Sequence, residues 1–191
     1  GALEAEIEQK TNAQRILKRY ADRLSSLNVI ERAIVNEVPI EQIAQCAIEQ
    51  IEKLLDVDRV SVVQIDENGE HATILYELGS DGDSPGFASA APISLFRSFD
   101  KEMFTTSDLS TQRNRSPIED TWMKSGIRNY CQVTLTAGDK VAGALNVGRE
   151  SCLETSEDDI TTINENADLL SIALRQHRHK LDQTRQEQEL V

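Results

Sequence analysis

From Ala2 to about Val38 the chain contains neither proline nor glycine, and Leu, Ile, Ala, Glu, Gln, Lys and Arg dominate. Such a run has few options besides one long helix. At ~1.5 Å per residue it would reach roughly 50 Å, farther than a small globule is wide. Leu3, Ile7, Lys10, Gln14, Leu17, Ala21 and Leu24 alternate spacings of four and three, the pattern of a coiled-coil seam with two polar interruptions. The stripe is narrow for a helix that faces a core, so Leu3, Ile7, Leu17 and Leu24 are expected to pack on a second copy of the chain. The plainer arrangement is an amphipathic helix lying on its own domain.

The far end carries a second rod. Ser156, with Asp159 three positions on, predicts a helix start with aspartate in the place of the usual Glu or Gln of a capping box. Ile160, Ile163, Ala167, Leu170, Leu174, His177, Leu181, Thr184 and Gln188 then keep the 3/4 spacing, apolar as far as Leu181 and polar beyond. Leu170, Leu174, His177 and Leu181 are expected to continue the dimer seam. Gly1 in place of methionine and the absence of a stop signal in the last residues read as a fragment of a longer protein, so an output domain of the same chain is the expected covalent neighbour.

Between the rods, Pro39 sits where a first helical turn accepts proline, and Ile40, Ile43, Ala44, Ala47, Ile51, Leu54 and Leu55 follow at helical spacing to about Asp56. Arg59 to Asp66 is rich in β-branched residues, and Glu67-Asn68-Gly69-Glu70 joins it to His71–Tyr76, a strong hairpin signal. Residues 79 to 120 are broken by glycine and proline, with short apolar pieces at Ala91 to Phe96 and Met103 to Thr106. A stretch of that length builds either a binding loop or an uninvolved insertion. Trp122 to Ser125 predicts a short helix closed by Gly126, and Ile127 to Thr136 and Val141 to Val147 predict two strands about the Ala137-Gly138-Asp139-Lys140 turn.

The order helix, strand, Asn-Gly hairpin, strand, variable loops, Gly126-Ile127-Arg128 entry to a strand, tight turn, Val141-Ala142-Gly143-Ala144-Leu145 strand and capped acidic helix resembles a GAF domain. The resemblance covers about 140 residues, carried by Ile40 to Asp66, Gly126 to Leu135, Val141 to Val147 and Leu153 to Leu174. It implies an α+β fold of PAS-like type. A five- or six-stranded antiparallel sheet has helices on one face and a loop-covered pocket on the other, flanked by long N- and C-terminal helices. The boundaries expected are a signalling helix at 1–36, the GAF domain at 37–176 and a helical extension at 177–191.

Alternation along the strands places Cys131, Val133, Leu135, Leu145 and Val147 toward the helices and Tyr130, Gln132, Thr134, Ala144 and Asn146 toward the loops. On the first strand the polarity of Gln64 selects Val60, Val62 and Gln64 for the loop side. The expected pocket is therefore Val62, Gln64, Gln132, Thr134 and Asn146 beneath Phe87, Phe96, Trp122 and Tyr130, apolar walls with a few hydrogen-bonding groups. A sheet with one open, solvated face would show the same alternation.

The chemistries known in the family are disfavoured one by one. Arg149-Glu150 and Leu153 replace the Asn-Lys pair and phenylalanine of cyclic-nucleotide sensors. The Ser116 to Ser125 segment has neither the cysteine nor the histidine of bilin-binding relatives, and His71, beside the hairpin turn, is badly placed for haem. Cys46, Cys131 and Cys152 allow a comparison with free-methionine-sulfoxide reductases, in which Cys152 would be the reactive thiol. His177 and His179, two apart on a helix, point to opposite sides and do not chelate one metal ion. No catalytic residue, metal or bound cofactor is expected.

Twenty Lys and Arg against 33 Asp and Glu give a net charge of −13, which opposes nucleic acid and acidic membrane surfaces. With three scattered cysteines and no long apolar run, the cytoplasm is the expected location. The function expected is a non-catalytic sensory module of a signalling protein such as a sensor histidine kinase, binding a small molecule and relaying through helices of a homodimer. The alternatives are a ligand-free connector that only spaces and pairs helices, and, from the thiols, a reductase.

Overall fold

The computed structural model describes residues 1–79 and 90–190. Its architecture is a six-stranded antiparallel sheet in the order β3-β2-β1-β6-β5-β4, with three helices on one face and loops with a short helix on the other.

The first rod, α1 (Ala2–Val35), ends before the expected Val38. Val38 precedes proline, which disfavours helical backbone there, and Glu37 takes a left-handed φ of 53°. Pro39 then caps α2 (Ile40–Leu54). The hairpin of β1 (Arg59–Ile65) and β2 (His71–Leu78) forms about the Asn-Gly turn. There the Gly69 N–H donates to the Asp66 carbonyl (3.1 Å) and the Glu70 N–H to the Asp66 carboxylate (2.9 Å). The edges of the sheet are short: β3 (Ala91–Pro92) pairs with β2, and β4 (Met103–Thr106) pairs with β5. The second hairpin, β5 (Asn129–Ala137) and β6 (Lys140–Arg149), turns at Gly138-Asp139.

The middle of the sheet is the β1–β6 pair, in which Gly143 lies opposite Gln64 and beside Val63. A Cβ on Gly143 would stand 2.0 Å from the Val63 carbonyl oxygen. Only glycine lets the two backbones approach that closely.

The main core lies between the sheet and α1, α2 and the last helix, α4 (Glu157–Glu189). Ile43, Ile48, Ile51, Leu135, Leu145, Leu170 and Leu174 are all buried in it. This corrects the dimer seam expected along α4: Leu170 and Leu174 are inside the domain's own core. The same apolar stripe that could have met a partner is needed to cover the sheet, which is the larger apolar surface. Leu181 remains 48 % exposed and His177 half-buried. On α1 the situation is reversed. Only Ser26, Ile30 and Ile34 are buried, while Leu3, Ile7, Leu17 and Leu24 are between 50 and 70 % exposed.

Arg23 pairs with Glu165 (3.2 Å) and Glu37 with Lys180 (2.9 Å), so α1 and α4 run parallel. The free part of α1 leaves one end of the globule and the tail of α4 leaves the other. None of the helices among the described residues is long and apolar enough to cross a membrane.

Candidate functional site

The loop face of the sheet is built around Tyr130. Burial pushes its phenol well above the ordinary value, with the Glu119 carboxylate adding to the effect, so the hydroxyl keeps its proton. It donates to Asn146 Oδ1 (3.0 Å) and lies 3.3 Å from Gln132 Oε1, while Asn146 Nδ2 donates to Ser61 Oγ (3.2 Å). All four residues are buried. A hydroxyl supplies one proton, and the shorter contact takes it; Gln132 therefore keeps hydrogen-bonding capacity.

Aromatic residues close over this polar string. Trp122 meets Tyr130 edge-on at 5.4 Å between ring centroids, and Phe104 lies 6.3 Å from it. Trp122 rests on the backbone of β6 at Gly148, where an added Cβ would stand 2.9 Å from a ring carbon. Its other support is Arg59, whose guanidinium lies 4.9 Å from the Trp122 centroid and is paired with Glu77 at 2.7 Å.

Trp122 belongs to α3 (Pro117–Lys124), which begins five residues before the expected Trp122. Ser116 Oγ accepts from the Glu119 N–H (3.2 Å), and Glu119 Oε2 accepts from the Ser116 N–H (2.9 Å), a full capping box with proline in the first turn. Glu119 is wholly buried. Its carboxylate also accepts from Arg97, through Nε and through Nη2 at 3.0 Å. Arg97 comes from the segment after a 3₁₀ turn at Ile93–Leu95, and the carbon of its guanidinium lies over Phe104, 3.6 Å from the ring centroid. Beside this group opens a cleft of about 470 Å³, lined among others by Phe96, Arg97, Lys101, Phe104, Arg115 and Gln132.

Of the expected pocket residues, Trp122, Tyr130, Gln132 and Asn146 come together on the loop face, and Phe96 and Gln132 line the cleft. Thr134 is half-buried, its hydroxyl donating to the Lys101 carbonyl (2.7 Å). Phe87 lies outside the described residues. Val62 is on the other face, with Val60 in the helix-side core, and alternation carries Gln64 to that side. The first strand is covered on both faces, so Ser61, Val63 and Ile65 point to the loops instead. Sequence reasoning missed Arg97, Phe104 and Glu119. The Ser116-x-x-Glu119 spacing was the available signal for Glu119 alone.

The three cysteines are free thiols. Cys131 faces the helix-side core, and burial pushes its thiol up to about 12. Cys46 is half-buried on α2, also raised by burial, and Cys152 is exposed before α4. His71 is exposed and pairs with Asp66 (3.4 Å). Among the described residues there is no group of three or more His, Cys, Asp and Glu placed to hold a metal ion.

A family model described as GAF domain matches residues 39–174. The chain belongs to the GAF domain family. Solved structures with this fold include the phycoerythrobilin-bound GAF domain from a cyanobacterial phytochrome. It is 16 % identical, with 83 % of this chain and 97 % of that one covered at a TM-score of 0.67. The GAF domain of an Acinetobacter phosphoenolpyruvate-protein phosphotransferase is 18 % identical, with 84 % and 97 % covered and a TM-score of 0.66. A domain of a putative two-component sensor histidine kinase protein from Sinorhizobium meliloti 1021 is 14 % identical, with 77 % and 99 % covered and a TM-score of 0.62. No curated protein is similar enough to count as a relative. At these identities the likeness concerns the fold.

None of the described residues that line the loop-side cleft is a cysteine or a histidine, and Cys131 is on the opposite face of the sheet.

Proposed function

We propose that this GAF domain is a non-catalytic sensory and regulatory module of a cytoplasmic signalling protein, of the kind that includes sensor histidine kinases. Two copies pair through α1 and the tail of α4, and a small molecule on the loop face biases the packing of those helices. The observation that carries this reading is the apolar stripe of α1. Leu3, Ile7, Leu17 and Leu24 stand in water on a helix that buries little else in its own domain, and a seam of that spacing is completed by a second helix. The polar members Lys10 and Gln14 weaken the seam, which suits a joint with two packings of similar energy. A ligand shifts such a balance by the difference in its affinity for the two states.

Size-exclusion chromatography with light scattering on the whole chain, on Leu17→Glu/Leu24→Glu and on residues 30–176 tests the pairing. A dimer that becomes monomeric in both variants is expected; three equal monomeric masses would refute it.

A second reading has its own observation in favour. Trp122, Tyr130 and Phe104 fill much of the space over the polar string, as they would in a connector that spaces and pairs helices without a ligand. Native mass spectrometry after gentle purification separates the two, because a retained small molecule adds directly to the mass.

A further inference from the structure

Arg97 is held on two sides. Glu119 occupies Nε and Nη2, the side-on fork of the guanidinium, and the Phe104 ring packs against the guanidinium. A guanidinium has a second fork, the end-on edge formed by Nη1 and the remaining Nη2 hydrogen. None of the described residues accepts from Nη1. The Arg97 side chain is 19 % exposed and lines the cleft. A group fixed this way loses little freedom when an anion docks on it.

The rest of the cleft agrees with that chemistry. Lys101 is exposed there and makes no ion pair with a described residue. Arg115 adds a third positive charge, its own donors directed to Asp120 and to the carbonyls of Leu109 and Gln112. Against these three stands Asp100 as the one acidic residue of the lining. With Glu119 and Asp120, the partners of Arg97 and Arg115, counted beside Asp100, the group is electrically balanced in a chain of net charge −13. Gln132 brings its spare amide capacity to the floor, and Phe96 and Pro117 bring apolar surface.

We infer that this cleft takes a small organic carboxylate, a monoanion with an apolar body, with its two oxygens on the end-on fork of Arg97 and the body against the apolar wall. The inference rests on the sensory reading above and specifies its ligand class. A planar carboxylate matches the spacing of the fork. A dianion such as phosphate would set a second negative charge against Glu119 and Asp100.

The test is an NMR titration of the isotope-labelled whole chain with benzoate, with benzamide as its neutral counterpart and with inorganic phosphate. Benzoate is expected to give saturable shifts at 94–101, 114–117 and 132, with affinity about tenfold or more above the other two probes. Replacing Arg97 alone would strand a buried carboxylate, so the informative variant is Arg97→Gln/Glu119→Gln, which keeps a neutral pair; it should lose about tenfold or more. Lys101→Met, which leaves the buried pair untouched, should lose a few-fold. Glu119→Gln alone should bind benzoate more tightly, since it removes a competing charge, whereas a purely structural role would weaken binding. Equal affinity for benzoate and benzamide, no saturable shift with benzoate, or full benzoate binding by the double variant would overturn the inference. A neutral molecule retained in native mass spectrometry would end the carboxylate assignment and leave the sensory role standing. A whole chain that is monomeric would refute the relay through paired helices, and the benzoate titration then decides the ligand assignment by itself.

Discussion

Leu170→Ala and Leu17→Ala make the same chemical change at two positions that share a heptad-like spacing and differ in what surrounds them. Leu170 is fully buried in the core shared by α4, α1, α2 and the sheet, whereas Leu17 is 66 % exposed. Truncating a buried leucine removes its transfer energy and leaves a cavity that closes only in part, a cost of about 3 to 4 kcal/mol. For a chain of this size each kcal/mol lowers the melting temperature by about 2–4 °C, so Leu170→Ala should melt roughly 10 °C below the parent. Leu17→Ala should leave the stability of a single chain within about 0.5 kcal/mol. If α1 pairs with a second copy, its effect appears in the concentration dependence of melting. The assay is thermal unfolding followed by circular dichroism at two protein concentrations, with sedimentation equilibrium on the same samples. The reasoning fails if Leu170→Ala melts with the parent while lowering the sedimenting mass, because α4 would then be covered by a partner and not by the sheet.

Further expectations follow from the same geometry. Gly143→Ala must push β6 away from the Val63 carbonyl and should cost about 3 kcal/mol or more in urea unfolding; a loss under about 1 kcal/mol would show that the central pair is looser than described. Tyr130→Phe leaves Asn146 Oδ1 without its donor and should cost about 1 to 3 kcal/mol, measured in the same way; an unchanged midpoint would contradict the polar string. Because the Cys131 thiol is raised from 9.0 to about 12 in the fold, the folded state holds its proton more tightly than the unfolded chain. Stability from this group is complete below pH 9 and is lost as pH rises toward about 12. Cys131→Ala should flatten that alkaline limb in a pH series of unfolding midpoints, and an unaltered slope would count against the burial. In native protein at mild pH a maleimide should label Cys152 first and leave Cys131 untouched, as read by mass spectrometry of the digested protein.

The sheet was legible because its turns carry local chemistry, the Asn68-Gly69 hairpin and the Gly138 turn, and because alternation in β5 and β6 sorts Cys131, Val133 and Leu135 from Tyr130 and Gln132. Alternation is informative only when the two faces differ. On β1 both faces are covered, so Val60, Val62, Val63 and Ile65 are all apolar, and the one residue that marked the loop face was Ser61 and not Gln64. The seam of α4 misled for a related reason: 3/4 spacing states that a stripe will be buried and is silent on what buries it. Leu170 and Leu174 are buried in the domain's own core, and nothing local to α4 distinguishes them from Leu181. The site's key pair, Arg97 and Glu119, is 22 residues apart. It depends on where a loop of low regularity returns to α3, information that no local pattern carries.

The parallel course of α1 and α4 carries the backbone through the domain in one direction. Whatever is joined at the N-terminal end is displaced along the rod axis from whatever is joined at the C-terminal end, by the height of the globule plus two overhangs. Copies linked in tandem would thus thread head to tail without the backbone reversing. Under the proposed relay, a twist or a half-turn slip of the incoming rod would reach the outgoing one across the Arg23–Glu165 contact, and the coupling would depend on how firmly the two rods grip each other more than on the sheet they share.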